Sequence, residues 1–501
     1  MIEALLEGLV LVLQWKALAF MLLGILLGFW VGLLPGLGGA TTLALMLPFV
    51  YTMQPVEAFA FLLGMHSVTA TTGDITSVLF GVPGEAASAA TVLDGYAMAK
   101  KGEAGRALGA ALASSLVGAL VGAVALAVAI PIVRPLVLTF GSPELFMLAL
   151  VGIAFIAALS SPGGRGMLRG FLAGALGLFL GTIGQDPQAG VARYALGTLY
   201  LWQGLDLVPV LVGLFAIPEI IDLVVRGTSI AGAAPAGKLS RGAIEGVKDT
   251  FRHFWLTIRC SLIGTFIGIM PGMGGAVAQW MAYGHATQSA RTAEERRGFG
   301  QGDVRGVLGP GAANNSKEGG ALIPTIAFGV PGSTAMAILL GGFFLLGLVP
   351  GPDMLSKHLA VTFSMVWTIV IANVVTVIAC FALLNKLAQL TTVRGSLLIP
   401  VILVLVFIGS YTSNNHYGDL VLTLVFGAAG YLMVLSGWPR APLVLGLVVG
   451  KIAENNLYIS IARYEAAWLT RPVVLVLIAI TVAVIVYPLF QARRRAAAAR
   501  A

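Results

Sequence analysis

Two glycine–proline motifs each occur twice in this chain, and neither can continue a helix. Pro35-Gly36-Leu37-Gly38-Gly39 returns as Pro271-Gly272-Met273-Gly274-Gly275. Phe80-Gly81-Val82-Pro83-Gly84 returns as Phe328-Gly329-Val330-Pro331-Gly332. Proline removes an amide donor and glycine is a poor helix former, so a helix should break at each motif. The chemistry on offer is that of opened backbone. Free N–H groups at the start of each returning helix attract an anion, by about 1 kcal/mol per helix end, and freed carbonyls suit a dehydrated cation. Glycine at the tip also lets backbone approach a ligand closely. The candidate anion-binding residues are therefore Gly38, Gly39, Gly274 and Gly275, with the hydroxyls of Thr41, Ser333 and Thr334.

A polar stretch precedes each Phe-Gly-Val-Pro-Gly break, Thr69 to Ser77 in the first copy and Asn314 to Gly320 in the second. Lys317 is the one lysine near either break. It could pair with a substrate carboxylate, with Asn314 and Asn315 as further donors, or simply with Glu318. Asp74, with Thr72 and Asn314, is the candidate cation or proton site, because acids inside a membrane are rare and usually functional. The competing reading of Asp74 is a helix N-cap, and Glu85 reads as a cap for its own half-helix. His66, His285 and His416 lack metal-ligand spacing and read as structural or interfacial, so no metal site is expected. No nucleotide-binding loop, nucleophile elbow or HExxH pair is present, so no catalytic residues and no cofactor are expected.

These residues need a membrane scaffold to hold them. Of 501 residues, 58% are hydrophobic and only 10% charged. A soluble globule carries roughly 25% charged residues, so a soluble enzyme and a nucleic-acid reader are excluded. The net charge of +8 comes from Lys and Arg in short loops and the tail, which is membrane topology rather than nucleic-acid affinity. Cys260 and Cys380 both fall in apolar runs and form no disulfide framework. Glu3 and Glu7 stand where a signal peptide would be basic, so the first apolar segment reads as retained.

The order of the motifs implies an internal repeat. The first pair is offset by 236 positions and the second by 248, which places an insertion between the motifs of the second half. Loop charge says how the halves are related. Val50 to His66 holds no Lys or Arg, whereas the matching stretch of the second half holds Arg291, Arg296, Arg297 and Arg305. After the second motif the bias reverses, with Lys100, Lys101 and Arg106 in the first half. Basic loops stay cytoplasmic, so equivalent loops lie on opposite sides. The expected architecture is an all-α polytopic membrane protein of two inverted-topology repeats with re-entrant hairpins and broken helices, plus a C-terminal helix. The repeats cover 1–230 and 254–470, joined by a basic cytoplasmic linker with an amphipathic helix over 231–253 and followed by a helix and basic tail over 471–501. Spans are expected near 107–133, 143–160, 170–184 and 199–225, and Thr41 to Val50 is too short to cross.

The chain resembles the large membrane subunit of tripartite tricarboxylate transporters, the TctA family. The resemblance is carried by GLLPGLGGATTLALMLPF (32–49), GDITSVLFGVPGEAASAATVLDGYAMAKKGEAGRALG (73–109), GIMPGMGGAVAQWMAYGHA (268–286) and NNSKEGGALIPTIAFGVPGSTAMAILLGG (314–342). It implies a secondary active importer of tricarboxylates or related carboxylates in the bacterial inner membrane. It further implies a small membrane subunit (TctB-like) and a periplasmic solute-binding protein (TctC-like) as partners, with the bilayer and a carboxylate substrate and no nucleic acid. The carbonyl-rich breaks favour Na⁺ over H⁺ as coupling ion. The basic tail Arg493 to Arg495 places the C-terminus in the cytoplasm. The alternative is a re-entrant-hairpin channel for organic anions.

Overall fold

Proline, glycine and side-chain caps decide where the helices of this chain begin and end. A computed structural model describes residues 1–32, 38–159, 164–186, 188–226, 239–390 and 399–498. Pro35, Gly36 and Leu37 of the first tip lie outside the described residues, as do 227–238 of the linker. The first half holds α1 (Ile2–Leu13), α2 (Trp15–Gly32), α3 (Gly39–Met46), α4 (Pro55–Phe80), α5 (Ala89–Lys100), α6 (Ala104–Val137), α7 (Ser142–Leu159), α8 (Gly164–Gly181) and α9 (Leu207–Arg226). The second holds α10 (Leu239–Arg252), α11 (Phe254–Ile269), α12 (Gly274–Gln288), α13 (Ala293–Gly298), α14 (Arg305–Phe328), α15 (Thr334–Leu345), α16 (Leu359–Leu390), α17 (Ile399–Asn414), α18 (Tyr417–Leu435) and α19 (Arg440–Tyr464), followed by α20 (Pro472–Ala498). Among the described residues the sole strand pair is Gly184–Gln185 with Ala192–Arg193.

Equivalent helices end in equivalent ways. Gly81 closes α4 at φ 68° and Gly329 closes α14 at φ 66°, a left-handed conformation that favours glycine. The polar stretches before these breaks are regular helix. Asp74 sits in the last two turns of α4 rather than at an N-terminus, so it is not an N-cap. The buried hydroxyls are satisfied within the helix: Thr69, Thr71 and Thr72 each donate to the carbonyl four residues earlier. The four segments expected after Arg106 are helical, as α6 to α9. The last begins at 207 and not 199, because Tyr200–Gln203 forms a 3₁₀ turn ended by Gly204 at φ 92°. Asp206 then accepts the N–H of Val208 at the start of α9.

Among the described residues, α2, α6, α16, α18 and α19 are long and apolar enough to cross a bilayer. Their outer faces are apolar too, as at Val124, Val128, Ile132 and Leu136 along α6, a stripe that only lipid or a partner can cover. The chain is a multi-pass helical membrane protein. At about 12 Å long, α3 cannot cross a hydrocarbon core of ~30 Å.

The packing repeats between halves and is reciprocal across them. Within halves, α2 lies along α4 as α11 lies along α14. Across them, α6 packs on α14 and α16 on α4, α9 on α18 and α8 on α19, and α10 on α6 as α1 on α16. Exchanging the halves returns each of these pairs, which is how a twofold relation behaves. Unmatched α13 lies in the insertion that changes the motif offset. Leu239 at the start of α10 abuts Gly105 at the start of α6, and Arg106 Nε bonds Asp249 Oδ2 at 2.6 Å. The loop carrying Lys100 and Lys101 therefore lies on the same face as the linker's amphipathic helix, as the basic-loop rule requires.

Small residues make these crossings close. Gly118 and Gly122 of α6 sit against the backbone of Ala312 and Ser316, where a Cβ on Gly122 would lie 2.6 Å from a carbonyl oxygen. Backbone cannot move aside as a side chain can. Gly122→Val is expected to lower stability by roughly 1–3 kcal/mol, read as a lower thermal midpoint in detergent. An unchanged midpoint would mean that α6 and α14 separate freely.

Candidate substrate cleft

The N-termini of α3, α12 and α15 and the break that leads into α5 converge on one cavity of about 810 Å³. Helix α12 folds back on α11 through Met270–Met273, where Gly272 (φ 78°) and Gly274 (φ 67°) take left-handed backbone. Helix α3 begins at Gly39 after an extended Gly38. Helix α5 follows the Val82-Pro83-Gly84 break through a 3₁₀ turn at Ala86–Ser88, and α15 follows Ser333. The cleft wall therefore includes Gly38, Gly39 and Thr41 from one tip, Gly274 and Gly275 from the other, and Ser333 and Thr334 from the second break. N–H groups that lack an intrahelical partner surround a common space.

A buried charged chain crosses the floor. Lys317 is 6% exposed and is ion-paired with Glu318. Glu318 Oε2 also lies 3.0 Å from His66 Nε2. The aliphatic stem of Lys317 covers Gly275, so a Cβ there would overlap Lys317 Cε. On the other side the His66 ring lies against Gly39, and Gly39 N–H donates to Glu85 Oε2 at 3.3 Å. At the far end of the cavity are Trp438, Arg440 and Glu219, with Arg440 Nη2 3.7 Å from Glu219 Oε1. Arg440 Nη1 also donates to the Leu214 carbonyl at 2.9 Å.

Of the residues singled out in the sequence, Gly38, Gly39, Thr41, Gly274, Gly275, Lys317, Ser333 and Thr334 share this wall. Asn314, Asn315, Asp74 and Thr72 do not line it. Asn314 Nδ2 donates to the Ala70 carbonyl at 2.9 Å, and Asn315 Nδ2 to Thr71 Oγ1 at 2.8 Å and Asn373 Oδ1 at 2.6 Å, tying α14 to α4 and α16. The Asp74 carboxyl lies beside Thr91 and Asn314, behind the cleft. Thr72 faces α2 at Gly32 and is not part of that cluster. Both Asp74 oxygens, Thr91 Oγ1 and Asn314 Oδ1 are buried with no hydrogen-bond partner among the described residues. Such atoms cost about 1–3 kcal/mol each when left unpaired, and the Asp74 carboxyl with the Thr91 hydroxyl beside it offers oxygens to a cation.

Three contributors were missed. His66, read as structural, lines the cleft and contacts Glu318. Glu318 appeared only as a partner for Lys317. Glu85 caps the first tip at Gly39 as well as closing a capping box with Ser88. Among the described residues no group of His, Cys, Asp and Glu could hold a metal ion.

The profile of the "Tripartite tricarboxylate transporter TctA family" matches residues 18–445. The chain belongs to the TctA family. This TctA-family chain is also 32% identical over 475 residues, 94% of its length and 93% of the relative's, to the "Uncharacterized 52.8 kDa protein in TAR-I ttuC' 3'region" of Agrobacterium vitis. A second protein of that organism, the "Uncharacterized protein in TAR-II ttuC' 3'region", is 32% identical over 213 residues, 42% of this chain and 87% of the relative. In TctA-family terms the match spans both tips and both breaks, so every residue that lines the cleft lies inside it.

Proposed function

We propose that this chain is the large membrane subunit of a secondary active importer that moves tricarboxylates or related carboxylates across the bacterial inner membrane. Membership of the TctA family makes it a component of a tricarboxylate transporter. On this reading a TctC-like periplasmic solute-binding protein delivers the substrate and a TctB-like small subunit completes the assembly. The observation that carries the reading is the convergence of three helix N-termini, those of α3, α12 and α15, on one cleft beside a buried lysine. A carboxylate leaving water needs compensating positive potential, and helix ends supply it without a free charge that would itself need solvation. On this reading the halves are inverted, the C-terminus is cytoplasmic, and the cleft, which reaches Glu219 of α9 and Arg440 at the start of α19, opens toward the cytoplasmic side. Titration calorimetry of the purified chain with citrate or tricarballylate tests the site. Binding that Gly275→Val removes supports it, and equal heats from both proteins refute it.

The coupling ion on this reading is Na⁺, held by Asp74 with Thr91 and Asn314. The orphaned oxygens around the carboxyl support it, and a dehydrated Na⁺ suits an all-oxygen site at a crossing of helices. Asp74→Asn is expected to leave the fold intact and to remove the dependence of uptake on a Na⁺ gradient, lowering Na⁺-stimulated uptake by an order of magnitude or more. Should the variant respond to Na⁺ and pH as the parent does, the coupling site lies elsewhere.

A further inference from the structure

The two tips are chemically unequal, and the difference sits at one pair of equivalent positions. Glu85 follows Gly84 as Ser333 follows Gly332. Ser333 caps its own helix, its Oγ accepting the N–H of Met336 at 3.3 Å. Glu85 reaches over Gly73 to the start of α3, where Oε2 accepts the Gly39 N–H. A resident carboxylate thus occupies the place where the first tip would hold a carboxylate of the substrate. His66 shares that end of the cleft. It is 3% exposed, lies against Gly39, and its Nδ1 has no hydrogen-bond partner among the described residues. The second tip carries Lys317 over Gly275, with Ser333 and Thr334 beside it. Glu318, the acid nearest to it, is engaged by Lys317 and His66.

Resting on the reading of the cleft as a carboxylate site, we propose that Glu85 determines specificity by making the cleft one-ended. The substrate places one ionised carboxylate at Gly274, Gly275, Ser333, Thr334 and Lys317. Its other end faces Glu85, and there it presents a hydrogen-bond donor, a hydroxyl or a protonated carboxyl. A second ionised carboxylate at that end would have to expel Glu85, which is tethered next to its site at high effective concentration, or sit against it as a like charge. Discrimination comes from a repulsive element as much as from the attractive one opposite. The substrate class is therefore an acid with one ionised end and one hydrogen-bond-donating end, including polycarboxylates in partly protonated form.

The test is calorimetric binding to the full-length chain in nanodiscs of 4-hydroxybutyrate and succinate, which share a four-carbon backbone and differ at one end. The parent should prefer 4-hydroxybutyrate. Glu85→Gln keeps an acceptor for Gly39 N–H without the charge, and Glu85→Ser makes the two halves alike. Both should shift the ratio of affinities toward succinate by roughly tenfold or more. A parent that prefers succinate overturns the proposal without any variant, and so does a ratio that both variants leave within about twofold of the parent's. A parent that binds neither these acids nor tricarballylate overturns the carboxylate reading itself, a different result from an unchanged ratio.

Discussion

Valine at Gly275 should abolish carboxylate binding, and valine at Gly39 should weaken it, in a protein that still inserts and folds. A Cβ on Gly275 would overlap Lys317 Cε and approach Ala87, and one on Gly39 would overlap the His66 ring. Both positions are the first turn of a short helix whose N–H groups face the cleft. The branch therefore fills the space over the donors and pushes aside the side chain that completes each tip. Loss of contact at one helix end costs about 1 kcal/mol, and displacing Lys317 removes its charge from the site as well. For Gly275→Val a fall in affinity of at least a hundredfold is expected, measured calorimetrically, and a smaller fall for Gly39→Val, whose N–H is already held by Glu85. Gly284 lies on the same α12, where an added Cβ would meet nothing within 4 Å, so Gly284→Val should bind as the parent does. Equal binding by all three variants would reduce the tips to helix packing.

Lys317 gives the second large effect, and it separates a structural ion pair from a substrate ligand. Lys317→Met keeps the stem but leaves Glu318, 4% exposed, with only His66 beside it. Breaking a buried pair from one side costs about 3–5 kcal/mol, whereas replacing both charges is often nearly neutral. The single variant should lose several degrees of thermal midpoint and carboxylate binding together. Lys317→Met with Glu318→Gln should recover most of the stability and none of the binding. Recovery of both would make Lys317 a structural residue only.

Much of this arrangement is legible in the chain because backbone needs glycine and proline wherever it opens. The repeated breaks mark both tips and both αL closures at Gly81 and Gly329. Side-chain assignments fare less evenly. Lys317, Ser333 and Thr334 stand near the breaks and reach the cleft. Thr72 does not join Asp74, and helical periodicity already says so, since residues two apart face opposite ways. Thr91 takes its place because α5 folds back on α4, which no local pattern reveals. His66 looks like an isolated histidine on an apolar helix until α14 brings Glu318 against it. Glu85 carries a signal that was readable: its counterpart is a serine, and a carboxylate at one of two matched anion tips is an asymmetry that the repeat does not require.

The most direct measurement is uptake of labelled citrate by proteoliposomes holding the full chain with its small membrane subunit, with the solute-binding protein outside. The account predicts accumulation above equilibrium that follows an imposed Na⁺ gradient, requires the binding protein and vanishes with Gly275→Val. Downhill flux that needs neither the gradient nor the binding protein would contradict it and make the cleft the filter of an anion channel.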